Sequence, residues 1–163
     1  MPVDVQFAVV VADLPDASRI EEWVIETMRA VAVHQPEAHA GEEVCIRVVD
    51  EAESRDLNHR YRHRDRSTNV LSFPADLDLP DPAHPITRIL GDIVVCAPVV
   101  IAEALQQGKT ITEHFAHMVV HGMLHLYGYD HQVESDADVM EQLEREILGR
   151  FSIGDPYRET EPA

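Results

Sequence analysis

Residues 121–131 read HGMLHLYGYDH, with histidines at His121, His125 and His131 and a glycine at Gly128. An α-helix turns about 100° per residue, so His121 and His125 share a face and can aim two imidazoles at one ion. Gly128 lets the helix stop, because glycine takes a positive φ without a Cβ penalty, and the chain can fold back to deliver His131. Three imidazoles leave a fourth coordination position open, as in a catalytic rather than a structural metal site. The spacing predicts one bound Zn2+; nickel, copper and iron are also compatible with these ligands. It is the histidine spacing of a zinc protease, yet the glutamate that follows the first histidine there is Gly122 here.

Two more histidines lie on the same stripe, His114 and His117. His117 and His125 are separated by roughly 12 Å along a helix rising ~1.5 Å per residue, so they cannot share an ion. The Gly128 turn selects the 121/125 pair. His117 is then either a neighbour of the metal or substrate, or a hydrogen-bonded core histidine. His114 is expected on the surface.

Outward from this stretch, Thr110 and Glu113 form a capping box that opens the histidine helix, which runs to about Tyr127. Upstream, residues 3–10, 43–49, 69–73 and 89–96 read as strands, and 18–33, 51–61 and 98–107 as helices. Ser18 and Glu21 suggest a capping box for the first of these helices. A proline-rich stretch over 74–87 reads as a surface loop. A last helix spans about 135–149, with Val139, Met140, Leu143 and Ile147 on one face. The expected fold is α+β: a small mixed sheet of about four strands packed with about five helices, one of them a zincin-like metal helix. Residues 1–152 form a single domain in this reading, and 153–163 a loose tail.

The chain has 163 residues, of which 45% are hydrophobic and 26% charged, in the range of an ordinary globular domain. No apolar run approaches the ~18 residues that span a bilayer, and no secretory signal is visible. Cys45 and Cys96 lie in apolar strand-like sequence and read as buried thiols in a reducing compartment, which places the protein in the cytoplasm. The net charge of −17 repels nucleic acid on average, so RNA binding requires a local basic patch.

One stretch supplies such a patch: RDLNHRYRHRDR, residues 55–66, with Arg55, Arg60, Arg62, Arg64 and Arg66 against Asp56 and Asp65. The last four arginines are spaced by two, so an extended segment would put them on one face, whereas a helix would scatter them. A planar guanidinium donates twice to a phosphate. Taken alone, a charge run is more often a solvated, salt-bridged surface segment. Beside a metal motif, phosphate binding gains weight. Tyr61 and Phe73 are candidates for base stacking, with core packing favoured for Phe73. Tyr127 and Tyr129 flank the metal loop.

HGMLHLYGYDH resembles the signature of the YbeY family of bacterial endoribonucleases and rRNA maturation factors. IRVVDEAESRDLNHRYRHRDRSTNVLSFP (46–74), LGDIVVC (90–96), AHMVVHG (116–122) and DPY (155–157) resemble that family's blocks in its order. The resemblance implies a metal-dependent endoribonuclease specific for single strands. Its implied roles are rRNA maturation, notably at the small-subunit rRNA 3′ end, and ribosome quality control. The family's three zinc histidines fall on His121, His125 and His131, and its functional arginine falls on Arg62. Single-stranded RNA and rRNA, the small ribosomal subunit, a small-subunit ribosomal protein and the Era GTPase are the implied partners, with no membrane.

With Gly122 in place of the protease glutamate, zinc still lowers the pKa of water toward ~7, and Arg62 can stabilise the developing phosphodiester charge. Asp130, beside His131, is a candidate to orient a ligand or move protons, or it simply stabilises a turn. Two other readings stay open. One is a metallopeptidase-like hydrolase; the other is a ribosome-assembly factor whose zinc is structural and which binds RNA without cutting it.

Overall fold

The computed structural model describes residues 3–35, 42–75, 88–129 and 134–157. Their order is β1 (Val3–Phe7), α1 (Ala17–His34), β2 (Glu42–Val49), α2 (Glu51–Arg62), β3 (Val70–Pro74), β4 (Arg88–Cys96), α3 (Ala97–Gln107), α4 (Ile111–Leu126) and α5 (Glu134–Gly149). The α+β expectation is borne out, with five helices and a four-stranded mixed sheet among the described residues. Most of the proline-rich stretch read as a loop lies outside the described residues.

The strand order is β1-β2-β4-β3. β1, β2 and β4 run parallel, and β3 pairs antiparallel with β4 at the edge. The strands alternate in period two, so successive side chains serve two different cores. Ile46, Val48, Ile93 and Val95 join residues of α1, α4 and α5 in the larger cluster. Val49, Leu71, Val94 and Cys96 pack with Leu57 of α2 and Val99 of α3 on the other side. β2 and β4 shift register between Glu43 and Val44, opposite Gly91 with its φ of 151°.

α4 is the central helix. Phe115, Ala116, Val119, Val120, Met123 and Leu124 are fully buried, as expected of a helix apolar on nearly all sides. Its N-cap is Thr110, whose hydroxyl accepts from the Glu113 N–H at 3.1 Å. Its other end closes as a Schellman motif: the Tyr129 N–H reaches the Leu124 carbonyl and the Gly128 N–H the His125 carbonyl, both at 3.0 Å. Gly128 sits at φ 93°, the conformation the sequence assigns to it. Tyr127 and Tyr129 pack partly buried against the core.

Three local expectations are corrected. β1 stops at Phe7, short of residue 10. α1 is capped by Asp16, which accepts from the Arg19 N–H at 2.9 Å; Ser18 lies inside the helix. Val139 of α5 is 54% exposed, so the buried stripe is Met140, Leu143, Glu144, Ile147 and Leu148. Of residues 153–163, read as a loose tail, Ile153 packs on the core and Tyr157 bonds to α5, while 158–163 lie outside the described residues.

Among the described residues, no helix is long and apolar enough to cross a membrane. Cys45 and Cys96 are both free; Cys96 is buried, Cys45 only partly.

Candidate metal centre

Helical spacing brings His121 and His125 together: their Nε2 atoms stand 3.1 Å apart, with ring centroids at 4.6 Å. The opposite nitrogen of His121, Nδ1, faces the Glu144 carboxylate, with Oε1 at 3.1 Å. His117 Nε2 donates to Glu144 Oε2, and the Tyr157 hydroxyl donates to the same oxygen at 2.9 Å. His117, one turn before His121 on α4, is therefore a buried hydrogen-bonded histidine that also neighbours the candidate centre. His117, His121 and Glu144 present ligand atoms within 4.8 Å of one another and could hold a metal ion. His131 and Asp130 lie outside the described residues.

Glu144 is fully buried. Burial by itself would push its carboxyl up, but the hydrogen bonds and charge of His117 and His121 outweigh it and hold it at about 2. Burial and the adjacent Glu144 carboxylate push the Tyr157 hydroxyl well above its ordinary range. Sequence reasoning passed over Glu144. The signal was a carboxylate on an apolar helical stripe, where a buried charge must find partners. Tyr157 enters the sequence reading only through the DPY block.

His114 is a correction: it is 2% exposed rather than on the surface. Its Nε2 donates to Glu103 Oε1 at 2.9 Å, and Glu103 also accepts from Asn69 Nδ2 at 3.2 Å. Burial depresses the His114 imidazole below its ordinary value despite the Glu103 carboxylate. This second histidine–carboxylate pair connects α4 to Asn69, the residue that enters β3.

The arginine run divides between helix and loop instead of forming one extended face. Arg60 and Arg62 lie in α2, which ends at His63 with φ 59°. The following loop is pinned to α2 by two buried side chains. Ser54 Oγ bonds both the carbonyl and the N–H of Thr68 at 3.0 Å, and Asn58 Nδ2 donates to the Arg66 carbonyl at 2.8 Å. Arg55 pairs with Asp65 at 2.7 Å and Arg60 with Asp56 at 3.0 Å, the salt-bridged fate common to charge runs. Arg62 does otherwise. Its Nη2 donates to the Ser72 carbonyl at 2.6 Å, and its guanidinium lies 5.1 Å over the Phe73 ring. Tyr61, 54% exposed, meets Phe73 edge-on at 5.4 Å.

Arg62, Asn69, Ser72, His121 and His125 line one cleft of about 330 Å³ between the β3 edge and α4. The structure thus joins the histidine motif to the arginine run, 59 positions apart between Arg62 and His121, through the edge strand. Gly122 is turned away from solvent into the sheet: a Cβ there would lie 3.0 Å from Ile93 Cγ2 and 3.2 Å from Ser72 Oγ. The position of the protease glutamate is a packing contact here.

The sequence model of the Endoribonuclease YbeY family matches residues 11–152. This chain belongs to the YbeY family. The match takes in α2 with its arginines and all three histidines of the opening motif; Tyr157 lies beyond it. The chain is 48% identical over 146 residues to endoribonuclease YbeY of Xylella fastidiosa strain 9a5c, covering 90% of this chain and 86% of that one. It is 45% identical over 157 residues to endoribonuclease YbeY of Xanthomonas campestris pv. campestris strain B100, covering 96% and 93%. With endoribonuclease YbeY of Pseudomonas putida strain W619 it shares 48% over 150 residues, covering 92% and 89%. The solution structure of TM1509 from Thermotoga maritima superposes with a TM-score of 0.55 at 24% identity, covering 96% of this chain and 99% of that one, a likeness of fold.

Proposed function

We propose that this chain is a zinc-dependent endoribonuclease specific for single strands. In this reading it acts in the cytoplasm on the small ribosomal subunit, in maturation of the rRNA 3′ end and in ribosome quality control. A small-subunit ribosomal protein and the Era GTPase are its proposed partners. One observation carries the reading: Arg62, His121 and His125 line a single cleft in a chain whose relatives are named endoribonucleases.

His121, His125 and His131 are the proposed holders of one Zn2+. Two nitrogens at ~2.0–2.1 Å from a tetrahedral ion stand about 3.3 Å apart. The observed Nε2–Nε2 separation of 3.1 Å fits that requirement. When bound, the ion supplies Lewis acidity toward a phosphodiester oxygen and acidifies water.

The chain's own groups do the rest. Arg62 commits one of its five N–H donors to the Ser72 carbonyl and keeps others for a phosphate. Held by that bond and by the Phe73 face, it stabilises the extra negative charge of the pentacoordinate phosphorus without reorganising. Tyr61 offers an exposed ring for base stacking beside it. Asp130 is proposed to orient His131 or to move a proton. The attacking oxygen is that of water or the substrate's own 2′-OH; a 2′,3′-cyclic phosphate product identifies the latter. Peptide hydrolysis in the manner of a zinc protease is disfavoured by Gly122, which packs under the sheet where no base side chain has room.

The test uses labelled single-stranded RNA, the same RNA annealed to its complement, and casein. Wild type, His125→Ala and Arg62→Glu are assayed with and without chelator. The expected result is cutting of the single strand alone, lost with chelator and in both variants. Equal cutting by all three proteins overturns the assignment to this site. RNA bound without cleavage favours an assembly factor with structural zinc, and casein digestion favours a peptidase.

A further inference from the structure

The centre described above contains a buried carboxylate that the proposed chemistry does not use. Glu144 comes from α5, the helix that packs across α4, and both of its oxygens are engaged. Oε1 faces His121 Nδ1 at 3.1 Å, and Oε2 accepts from His117 Nε2 and from the Tyr157 hydroxyl at 2.9 Å. An ionised carboxylate only accepts hydrogen bonds. When the His121 ring is neutral, as a metal ligand must be, its hydrogen therefore sits on Nδ1, which leaves the lone pair on Nε2. That is the nitrogen 3.1 Å from His125 Nε2. The tautomer a metal ligand requires is thus dictated from behind the ring.

We propose that Glu144, clamped by His117 and Tyr157, is a positioning residue that fixes the His121 tautomer and ring orientation for the ion, and that Glu144 and His117 are not themselves ligands. The inference rests on the proposal that His121 and His125 bind the metal.

Three further observations favour a supporting role over direct ligation by His117, His121 and Glu144. Glu144 has no exposed surface, whereas a catalytic ion needs one coordination position open to substrate. The cleft that holds Arg62 opens on His121 and His125, and its lining includes neither His117 nor Glu144. The clamp is also braced independently of any ion. The His117 and Tyr157 rings meet edge-on at 5.4 Å, and Arg145 lies 5.6 Å over the Tyr157 ring while pairing with Asp155 at 3.0 Å. The segment after α5 is thereby a structural part of the centre. A carboxylate that receives the second N–H of a ligating histidine commonly contributes 10–100-fold to metal affinity.

The experiment measures Zn2+ affinity of the full chain by competition with a chromophoric chelator. It compares wild type, His125→Ala, His117→Gln, Glu144→Gln and Tyr157→Phe, with long-range 1H–15N spectra of the zinc-loaded proteins. The expected order is a near-complete loss in His125→Ala, a loss of about 10–100-fold in Glu144→Gln and a loss of several-fold in His117→Gln and Tyr157→Phe. The wild-type spectrum should show His121 protonated at Nδ1. If Glu144→Gln does not fold, Tyr157→Phe, which removes one hydroxyl, carries the test together with the wild-type tautomer. Wild-type affinity in Tyr157→Phe and Glu144→Gln, or a His121 protonated at Nε2, overturns the proposal while His125→Ala still reports on the metal site. A loss in His117→Gln as deep as in His125→Ala makes His117 and Glu144 ligands and overturns it too. Failure of the wild type to bind Zn2+ removes the underlying metal reading first, and this proposal with it.

Discussion

Arg62 is bonded to the edge strand: its Nη2 donates to the Ser72 carbonyl at 2.6 Å. The Ser72 hydroxyl in turn donates to the Gly122 carbonyl of α4 at 2.9 Å. The guanidinium is therefore set at a fixed distance from the histidine helix through a single residue of β3. Removing a preorganised charge-stabilising donor commonly costs about 10²–10³ in rate. Arg62→Ala is expected to lower kcat/KM on single-stranded RNA by about 100-fold. Arg62→Lys should recover little, because a lysine cannot both hold the carbonyl and present a planar fork. Arg62 is exposed, so both variants should melt within a few degrees of wild type. Wild-type kinetics in Arg62→Ala would remove this residue from the proposed chemistry.

Gly122 gives a prediction of opposite kind. Alanine is favoured over glycine in a helix by about 1 kcal/mol. Here the added methyl meets Ile93 Cγ2 at 3.0 Å and Ser72 Oγ at 3.2 Å, and Ile93 is fully buried and cannot retreat. Overpacking of this sort costs about 1–3 kcal/mol. Gly122→Ala should be destabilised by about 1 kcal/mol in urea denaturation, and Gly122→Glu, which restores the protease pattern, should fold poorly and digest no casein. A stabilised Gly122→Ala would show that α4 sits further from the sheet than described.

Gly91 supports the β3–β4 edge. Its φ is 151°, and a Cβ would come within 2.4 Å of the Phe73 carbonyl oxygen and 2.9 Å of Leu126 Cδ2. Neither the carbonyl of a paired strand nor a residue packed on the core can move aside cheaply. Gly91→Ala should lose about 3 kcal/mol or more, at the large end for a single substitution. Chemical-shift changes should centre on β3. A loss below about 1 kcal/mol would contradict this backbone geometry.

His114 makes stability depend on pH. Its imidazole is depressed below the ordinary 6.5 by burial, so the unfolded chain takes up this proton before the folded one does. The associated stability is fully present above pH 6.5 and falls as the pH drops below it. His114→Gln, which retains a donor for Glu103, should flatten the decline of metal-free stability between pH 6.5 and 5 relative to wild type. Parallel curves for the two proteins would show that His114 titrates normally.

Removing the ion should soften the fold. A ligand at 100 times its dissociation constant adds about 2.7 kcal/mol, or roughly 5–10 °C in Tm for a domain of this length. Adding Zn2+ to chelated protein should raise Tm by that amount in wild type, and hardly at all in His125→Ala. Equal shifts in both would place the stabilising metal elsewhere.

The elements that local chemistry controls were legible in the residues alone. Apolar periodicity located the strands and helices, Thr110 set the start of α4, and Gly128 set its end, because capping and positive φ involve neighbours along the chain. The same i, i+4 geometry paired His121 with His125. The error at the start of α1 also has a local cause. Ser18 with Glu21 mimics a cap two residues too late when Asp16 stands nearby. The helix read over 51–61 is borne out as α2, which runs through Arg62 and so scatters Arg60 and Arg62 from the loop arginines instead of aligning them on an extended face.

What no spacing rule could supply is which distant groups meet. Glu144 lies 23 residues from His121 and 13 from Tyr157, and the three converge only because α5 packs on α4 and the following turn folds back. Arg62 reaches the histidines only through an antiparallel edge strand whose place in the sheet follows from its pairing with β4. The sequence by itself determined the secondary structure and the paired imidazoles, which depend on contacts within one or two helical turns. The tertiary structure alone decided which carboxylate backs His121, how Arg62 is brought to the cleft and why Gly122 carries no side chain, because these depend on burial and on long-range packing.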